Sequence, residues 1–242
     1  MFAYYVGRPD GVQCEAGMPC YGQPMSAQRP TAVTKKVTLL ADGFLKVNAY
    51  EIEVETHDGR LVVVRREVVE RGNAVGVLAY DPDRDEVVLG NELRPGMVAA
   101  GEHPFGDGLI AGMIDGSETA IEAAVREMKE ESGLDLREPR LVHPGAYVSP
   151  GGTSEKIALV FGFVDASMAG GVHGNVHEHE EIRTVILPAA EFIDLARRGA
   201  INDMKTALAA WWLGEYRARP YCLVAAVGSA VSTQRDGDDS HS

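Results

Sequence analysis

Apolar and polar residues alternate along "FLKVNAYEIEVETHDGRLVVVRREVVERG", broken by the turn triplet "HDG", so an antiparallel hairpin is expected from Phe44 to about Val69. "NAVGVLAYDPDRDEVVLGNELR" repeats the alternation around "DPDRD" and reads as a second strand pair. The period then changes to that of a helix at Ala120 to Ser132. Thr119 and Glu122 have the T-x-x-E spacing of a capping box at its start, and Gly133 suits the left-handed residue just past its end. Further strands are expected near Leu141 to Tyr147 and Glu155 to Val164, and a second helical pattern opens at Ala189, breaks near Gly199 and resumes through "DMKTALAAWWLGEY". Strands mixed with a few helices imply an α/β (α+β) sandwich, a mixed sheet packed between helices with an antiparallel β region at its N-terminal side. No internal repeat is present.

Composition narrows the picture. The chain of 242 residues is 45% hydrophobic and 24% charged, ordinary globular material able to form one substantial core. A formal net charge of −13 argues against nucleic acid or an anionic membrane as partner, so a small anionic substrate would need local cations. The three cysteines, Cys14, Cys20 and Cys222, have no metal-ligand spacing and fit a reduced cytoplasm, with a Cys14–Cys20 bridge left open. The start lacks the basic and apolar regions of a secretory signal, and no apolar run approaches the ~20 residues that span a bilayer.

One feature of the first helix is unusual: "REMKEESG" crowds Glu127, Glu130 and Glu131 together, although like charges at i,i+4 oppose helix formation. Ile121, Ala124, Val125 and Met128 make an apolar stripe, with Glu127 and Glu131 along its flank and Glu130 beside them. Two carboxylates on one edge can share a hard divalent cation, which prefers oxygen ligands and leaves positions for water and phosphate. Taken alone, three glutamates are far better explained by a solvated charged face.

The surrounding residues decide between these readings. Gly112, Glu118, Arg126, Glu127, Met128, Glu130, Glu131, Gly133 and Leu134 fill every fixed position of G-x5-E-x7-R-E-U-x-E-E-x-G-U, where U is bulky and apolar. The segment resembles the metal-binding box of Nudix hydrolases. The similarity extends over roughly Phe44 to Leu213, and "RREVVERGNAV", "GMIDGSE", "SPGGTSE" and "HEHEEIR" resemble segments of the ADP-ribose pyrophosphatase branch. Pro150, sixteen residues beyond Leu134, marks family members that act on ADP-ribose. The division that follows is 1–35 as a loosely ordered extension, 36–72 as an N-terminal β region, 73–220 as the Nudix hydrolase domain and 221–242 as a tail, disordered at its polar end.

The resemblance implies a site. Glu127 and Glu131, with the backbone carbonyl of Ala111, would hold Mg²⁺, or Mn²⁺ in its place, and Glu180 would join them when substrate binds. Glu178, on a loop, would be the general base that takes a proton from the attacking water, and Arg126 and Glu130 are assigned with it as catalytic residues. Gly112 and Gly133 shape the backbone around the helix, and Glu118 would hold Arg126. Arg94 would bind phosphate, Arg66 and Glu155 would touch substrate, and Phe44 would stack on adenine. The implied reaction is attack at the adenosyl phosphorus of ADP-ribose, giving AMP and ribose 5-phosphate. Members of this branch form homodimers by exchanging N-terminal sheet segments. Gly108 departs from the pattern, which usually has a glutamate four residues before the box glycine. The nearest carboxylate, Asp107, would need a backbone shift to replace it. Two other activities compete: hydrolysis of another nucleoside diphosphate sugar such as GDP-mannose, and sensing of ADP-ribose without cleavage. The complete box disfavours the sensor.

Overall fold

A computed structural model describes residues 31–174 and 180–218. Glu178, most of the expected N-terminal extension and the expected C-terminal tail therefore lie outside the described residues. The described residues divide into two compact units, one built from residues 31–71 together with Ser149–Ser154, the other from Gly72–Val148 and the described residues between 155 and 218.

The first unit is a three-stranded antiparallel sheet in the order β1 (Ala32–Asp42), β2 (Lys46–Glu55), β3 (Leu61–Glu70). β2 and β3 form the expected hairpin. Its turn closes through the Thr56 N–H, which donates to the Arg60 carbonyl at 2.8 Å, and Gly59 takes the left-handed φ of 82° that the turn requires. Two features differ from the expectation. Phe44 lies in the bend between β1 and β2 rather than at the start of a strand, and it is 92% exposed. β1 begins at Ala32, inside the stretch read as loosely ordered, because it pairs along the open edge of β2. Register shifts between Thr34 and Lys36 and between Leu39 and Ala41 interrupt its two-residue period, which hides the strand from a periodicity reading. The Ser149–Ser154 segment attaches to β3, with the Val69 N–H donating to the Gly152 carbonyl at 2.9 Å and the Ser154 N–H donating to the Val69 carbonyl at 3.2 Å.

The second unit is a mixed sheet with helices on both faces. Its strands are β4 (Ala74–Asp81), β5 (Glu86–Leu93), β6 (Phe105–Gly108), β7 (Ile110–Met113), β8 (Arg137–Tyr147), β9 (Lys156–Phe163), β10 (Val172–His173) and β11 (Ile182–Pro188). They run β10-β11-β5-β4-β9-β8, with β4 and β9 parallel and the other pairs antiparallel. The helices are the short α1 (Pro95–Ala99), α2 (Ala120–Ser132), α3 (Ala189–Arg197) and α4 (Met204–Ala218). The hairpin around "DPDRD" is β4–β5, but β6 and β7 follow no strong period and were not expected. They are one extended run that changes partner: β6 pairs with β5, and after Leu109 β7 pairs with β4.

β4 is buried along its whole length because its two faces serve two cores. Val75, Val77 and Ala79 pack with Ile110, Val160 and Met128 under α2; Leu78 and Tyr80 pack with Phe161, Phe192 and Leu213 under α3 and α4. α2 has the expected boundaries and both halves of its capping box, with Gly133 left-handed at φ 73°. Its buried side is rotated from the expected stripe. Ala123, Ala124 and Met128 are buried together with Glu127 and Glu131, whereas Val125 is 40% exposed. The two glutamates face the sheet, not the solvated flank.

Candidate active site

Arg126 organises the box. Nε and Nη2 donate to the two oxygens of Glu118, both at 2.9 Å, in a bidentate pair; Nη1 donates to Glu127 at 2.8 Å and Glu130 at 3.3 Å, and Nη2 also reaches the Met113 carbonyl at 3.0 Å. This arginine is thus a strut between α2, the loop before it and β7. The Asp115 N–H donates to Glu118 as well, at 3.2 Å, and the Arg126 pair followed by this amide pulls the Glu118 carboxyl down to about 2. Glu130 remains on the exposed side of the helix.

Glu127 and Glu131 sit one helical turn apart at 8% and 4% exposure. Gly112 makes this arrangement possible, since a Cβ there would overlap the Glu127 carboxylate. The Ala111 N–H donates to Glu131 Oε2 at 3.2 Å. N–H and C=O of one residue in an extended strand point to the same edge, so the Ala111 carbonyl leaves β7 on the side of this carboxylate. Burial, then Glu127 and Glu92, push the Glu131 carboxyl up to about 9. Glu127 is also raised, by burial, with Arg126 opposing. Two desolvated carboxylates with only one arginine between them form a site short of positive charge, and their hard oxygen donors fit a divalent cation. Among the described residues no group of three His, Cys, Asp or Glu side chains stands close enough to form a metal site by itself. Glu180, half-buried, raises Glu92, Glu127 and Glu131 through its charge and so belongs to the same acidic pocket.

Arg94 is not extended toward solvent. Its Nη2 is buried, lies 2.8 Å from Glu92 and has no hydrogen-bond partner of good geometry among the described residues. A Cβ on Gly108 would stand 2.7 Å from that nitrogen, so the glycine leaves the guanidinium room in its present position. Asp107 does not replace the missing carboxylate; its side chain accepts from Asn91 at 2.5 Å. The carboxylate on the Gly108 face is Glu92. The β5–β6 register pairs Gly90 with Gly108 and Glu92 with Gly106, which puts all four on one face. Sequence reading missed Glu92, although its position two residues before Arg94 in an alternating strand was a usable signal. It also missed Asp203 and Thr206, whose Asp-x-x-Thr spacing at the start of α4 has the form of a helix cap.

Of the other expected residues, Glu155 is buried in the second unit, where its carbonyl accepts from the Val148 N–H at 3.4 Å. Arg66 and Phe44 belong to the first unit, Arg66 exposed on β3 with Nη1 donating to the Arg65 carbonyl at 2.8 Å.

The profile of the NUDIX domain matches residues 70–209. ADP-ribose pyrophosphatase of Escherichia coli is 36% identical over 172 residues, 71% of this chain and 82% of that protein. ADP-ribose pyrophosphatase of Haemophilus influenzae is 34% identical over 162 residues, covering 64% and 72%. GDP-mannose pyrophosphatase of Salmonella typhimurium is 32% identical over 185 residues, covering 73% and 94%. A crystal structure of an ADP compounds hydrolase superposes with a TM-score of 0.59 at 24% identity, over 79% of this chain and 95% of that one, which supports the fold. Nudix hydrolases generally use divalent metal ions, in agreement with the donor set around α2. A complete box folded around a buried carboxylate pair, a profile match over more than half the chain and these relatives together make the chain a member of the Nudix hydrolase family.

Proposed function

We propose that the chain hydrolyses the diphosphate of ADP-ribose to AMP and ribose 5-phosphate, with Mg²⁺ as its divalent ion. The observation that carries this reading is the buried Glu127–Glu131 pair in an intact box, in a chain 36% identical to an ADP-ribose pyrophosphatase. In this reading Glu127, Glu131 and the Ala111 carbonyl hold the ion, with Glu180 nearby. The bound ion supplies positive charge to the diphosphate and eases ionisation of the attacking water. Arg126 keeps Glu127 turned toward β7, and Glu118 keeps Arg126 in place. Arg94 exchanges part of its pairing with Glu92 for a substrate phosphate oxygen, which the poor geometry of its present contact makes inexpensive. Glu178 takes the proton from water.

Support for a homodimer comes from the first unit. The register puts exposed Val33, Leu61 and Val63 on one face of its sheet and exposed Val37 and Leu39 on the other, apolar positions that a second copy of the sheet would cover. No described helix is long and apolar enough to cross a membrane, and the sparse cysteines suit a reducing cytoplasm. Hydrolysis of GDP-mannose is the second reading, favoured by the relative of that name matched over 94% of its length.

Product analysis with Mg²⁺ on ADP-ribose, GDP-mannose, ADP-glucose and NADH tests both, run beside Glu127→Gln. AMP and ribose 5-phosphate from ADP-ribose alone, absent in the variant, is the expected result. Preferential cleavage of GDP-mannose would transfer the assignment to the second reading.

A further inference from the structure

Leu109 is where the β6–β7 run changes partner from β5 to β4, so its backbone N–H lies outside both ladders. Leu109 is fully buried, and a buried N–H left unpaired forfeits its hydrogen bond to water without replacement. The partner comes from far along the chain: the N–H donates to Oγ1 of Thr206, in the first turn of α4, at 3.1 Å. Thr206 is itself buried and donates its hydroxyl proton to Asp203 Oδ2 at 2.5 Å, and Lys205 Nζ donates to the same oxygen at 2.7 Å. A hydroxyl has one proton and two acceptor sites, so the contact with Asp203 leaves its oxygen oriented to accept from Leu109.

The same residues border the Arg94 guanidinium. The point a Gly108 Cβ would occupy is 2.7 Å from Arg94 Nη2 and 3.4 Å from both Asp203 Oδ2 and Thr206 Oγ1. Gly108 is therefore an opening in which the start of α4 meets Arg94. Asp203, just before α4, gives one carboxylate oxygen to two side chains, and one of these, Thr206, reaches across to the sheet.

We propose that Thr206 and Asp203 are positioning residues of the active site. Thr206 pins the Leu109–Ala111 backbone from the α4 side while Glu131 holds Ala111 from the α2 side, and Asp203 holds Thr206 and sets the charge beside Arg94. This rests on the assignment of Ala111 to the ion and Arg94 to phosphate made above.

Calorimetric titration of the full chain with Mn²⁺ in the absence of substrate tests the proposal separately from turnover. Thr206→Val, which keeps the shape and removes the hydroxyl, is expected to lose about 10- to 100-fold in Mn²⁺ affinity and in kcat, as outer partners of metal sites do. Thr206→Ser should restore both. Wild-type Mn²⁺ affinity in Thr206→Val, at a temperature where it is folded, would overturn the proposal. Asp203→Asn covers the case in which the valine variant does not fold: KM for ADP-ribose should rise more than kcat falls, and an unchanged KM would refute the role at Arg94. If the wild-type enzyme does not cleave ADP-ribose, the functional assignment fails, while the Mn²⁺ titrations still decide whether Thr206 positions Ala111.

Discussion

The two sheets share a local grammar and differ in what covers them. β2 and β4 both alternate or run apolar, and both pair antiparallel with a neighbour joined by a short turn. Yet β4 is buried over all eight residues between two helical layers, whereas Ala49 alone is buried among the described residues of β1–β3. The lesson is that strand formation and strand burial have separate causes. Pairing and turn chemistry suffice for a ladder; stability requires a second layer. The large sheet finds its layers within the chain. The small one shows Val33, Leu61 and Val63 to solvent on one face and Val37 on the other.

Experiments can break this contrast. The largest effect belongs to the chemistry of the large sheet: Glu127→Gln should lower kcat by about 100- to 1000-fold with an unchanged melting temperature, because only a charge is removed. Loss of fold instead would mean the Arg126–Glu127 pair is structural before it is functional.

Next is the core. Met128→Ala, beneath α2, should cost about 2–5 kcal/mol in urea unfolding. Leu61→Ala on β3 should stay within about 0.5 kcal/mol for dilute protein and act instead on dissociation of the proposed dimer, read by sedimentation. A large loss at Leu61 that does not depend on protein concentration would remove the distinction between the sheets.

Gly112→Ala should cost about 1–3 kcal/mol and weaken Mn²⁺ binding, since the new methyl displaces Glu127. The smallest effect is a proton. Glu131, raised from 4.5 to about 9, favours the folded state fully below pH 4.5, and that contribution is lost as pH rises through about 9. The stability difference between metal-free wild type and Glu131→Gln should therefore fall from pH 5 to 9. Titration with Mn²⁺ at pH 7.5 in two buffers should show release of about one proton, because the cation displaces it. No release would place Glu131 outside the ion's reach.

α2 was legible to the residue because capping box, period and left-handed glycine are all local signals. The box around it was legible through its spacing. What was misread on that helix is instructive: Val125 fitted the stripe as well as Ala123 did, and rotating the helix by a fraction of a turn buried Glu127 and Glu131 instead. Periodicity defines a face only to within neighbouring positions, and the sheet it meets makes the choice. β1 was hidden by its two bulges, and β6–β7 by a change of partner halfway along a run rich in glycine. The roles of Glu92, Asp203 and Thr206 depend on strand register and on contacts between residues up to 97 positions apart, for which no local pattern exists.

The sequence by itself determined the helix, the two hairpins and the family, because caps, turns and the box spacing act over a few residues. Only the tertiary structure decided which carboxylates lose their water, which side chains meet at position 108 and which helix secures the strand crossover. Burial and charge coupling are properties of neighbours in space.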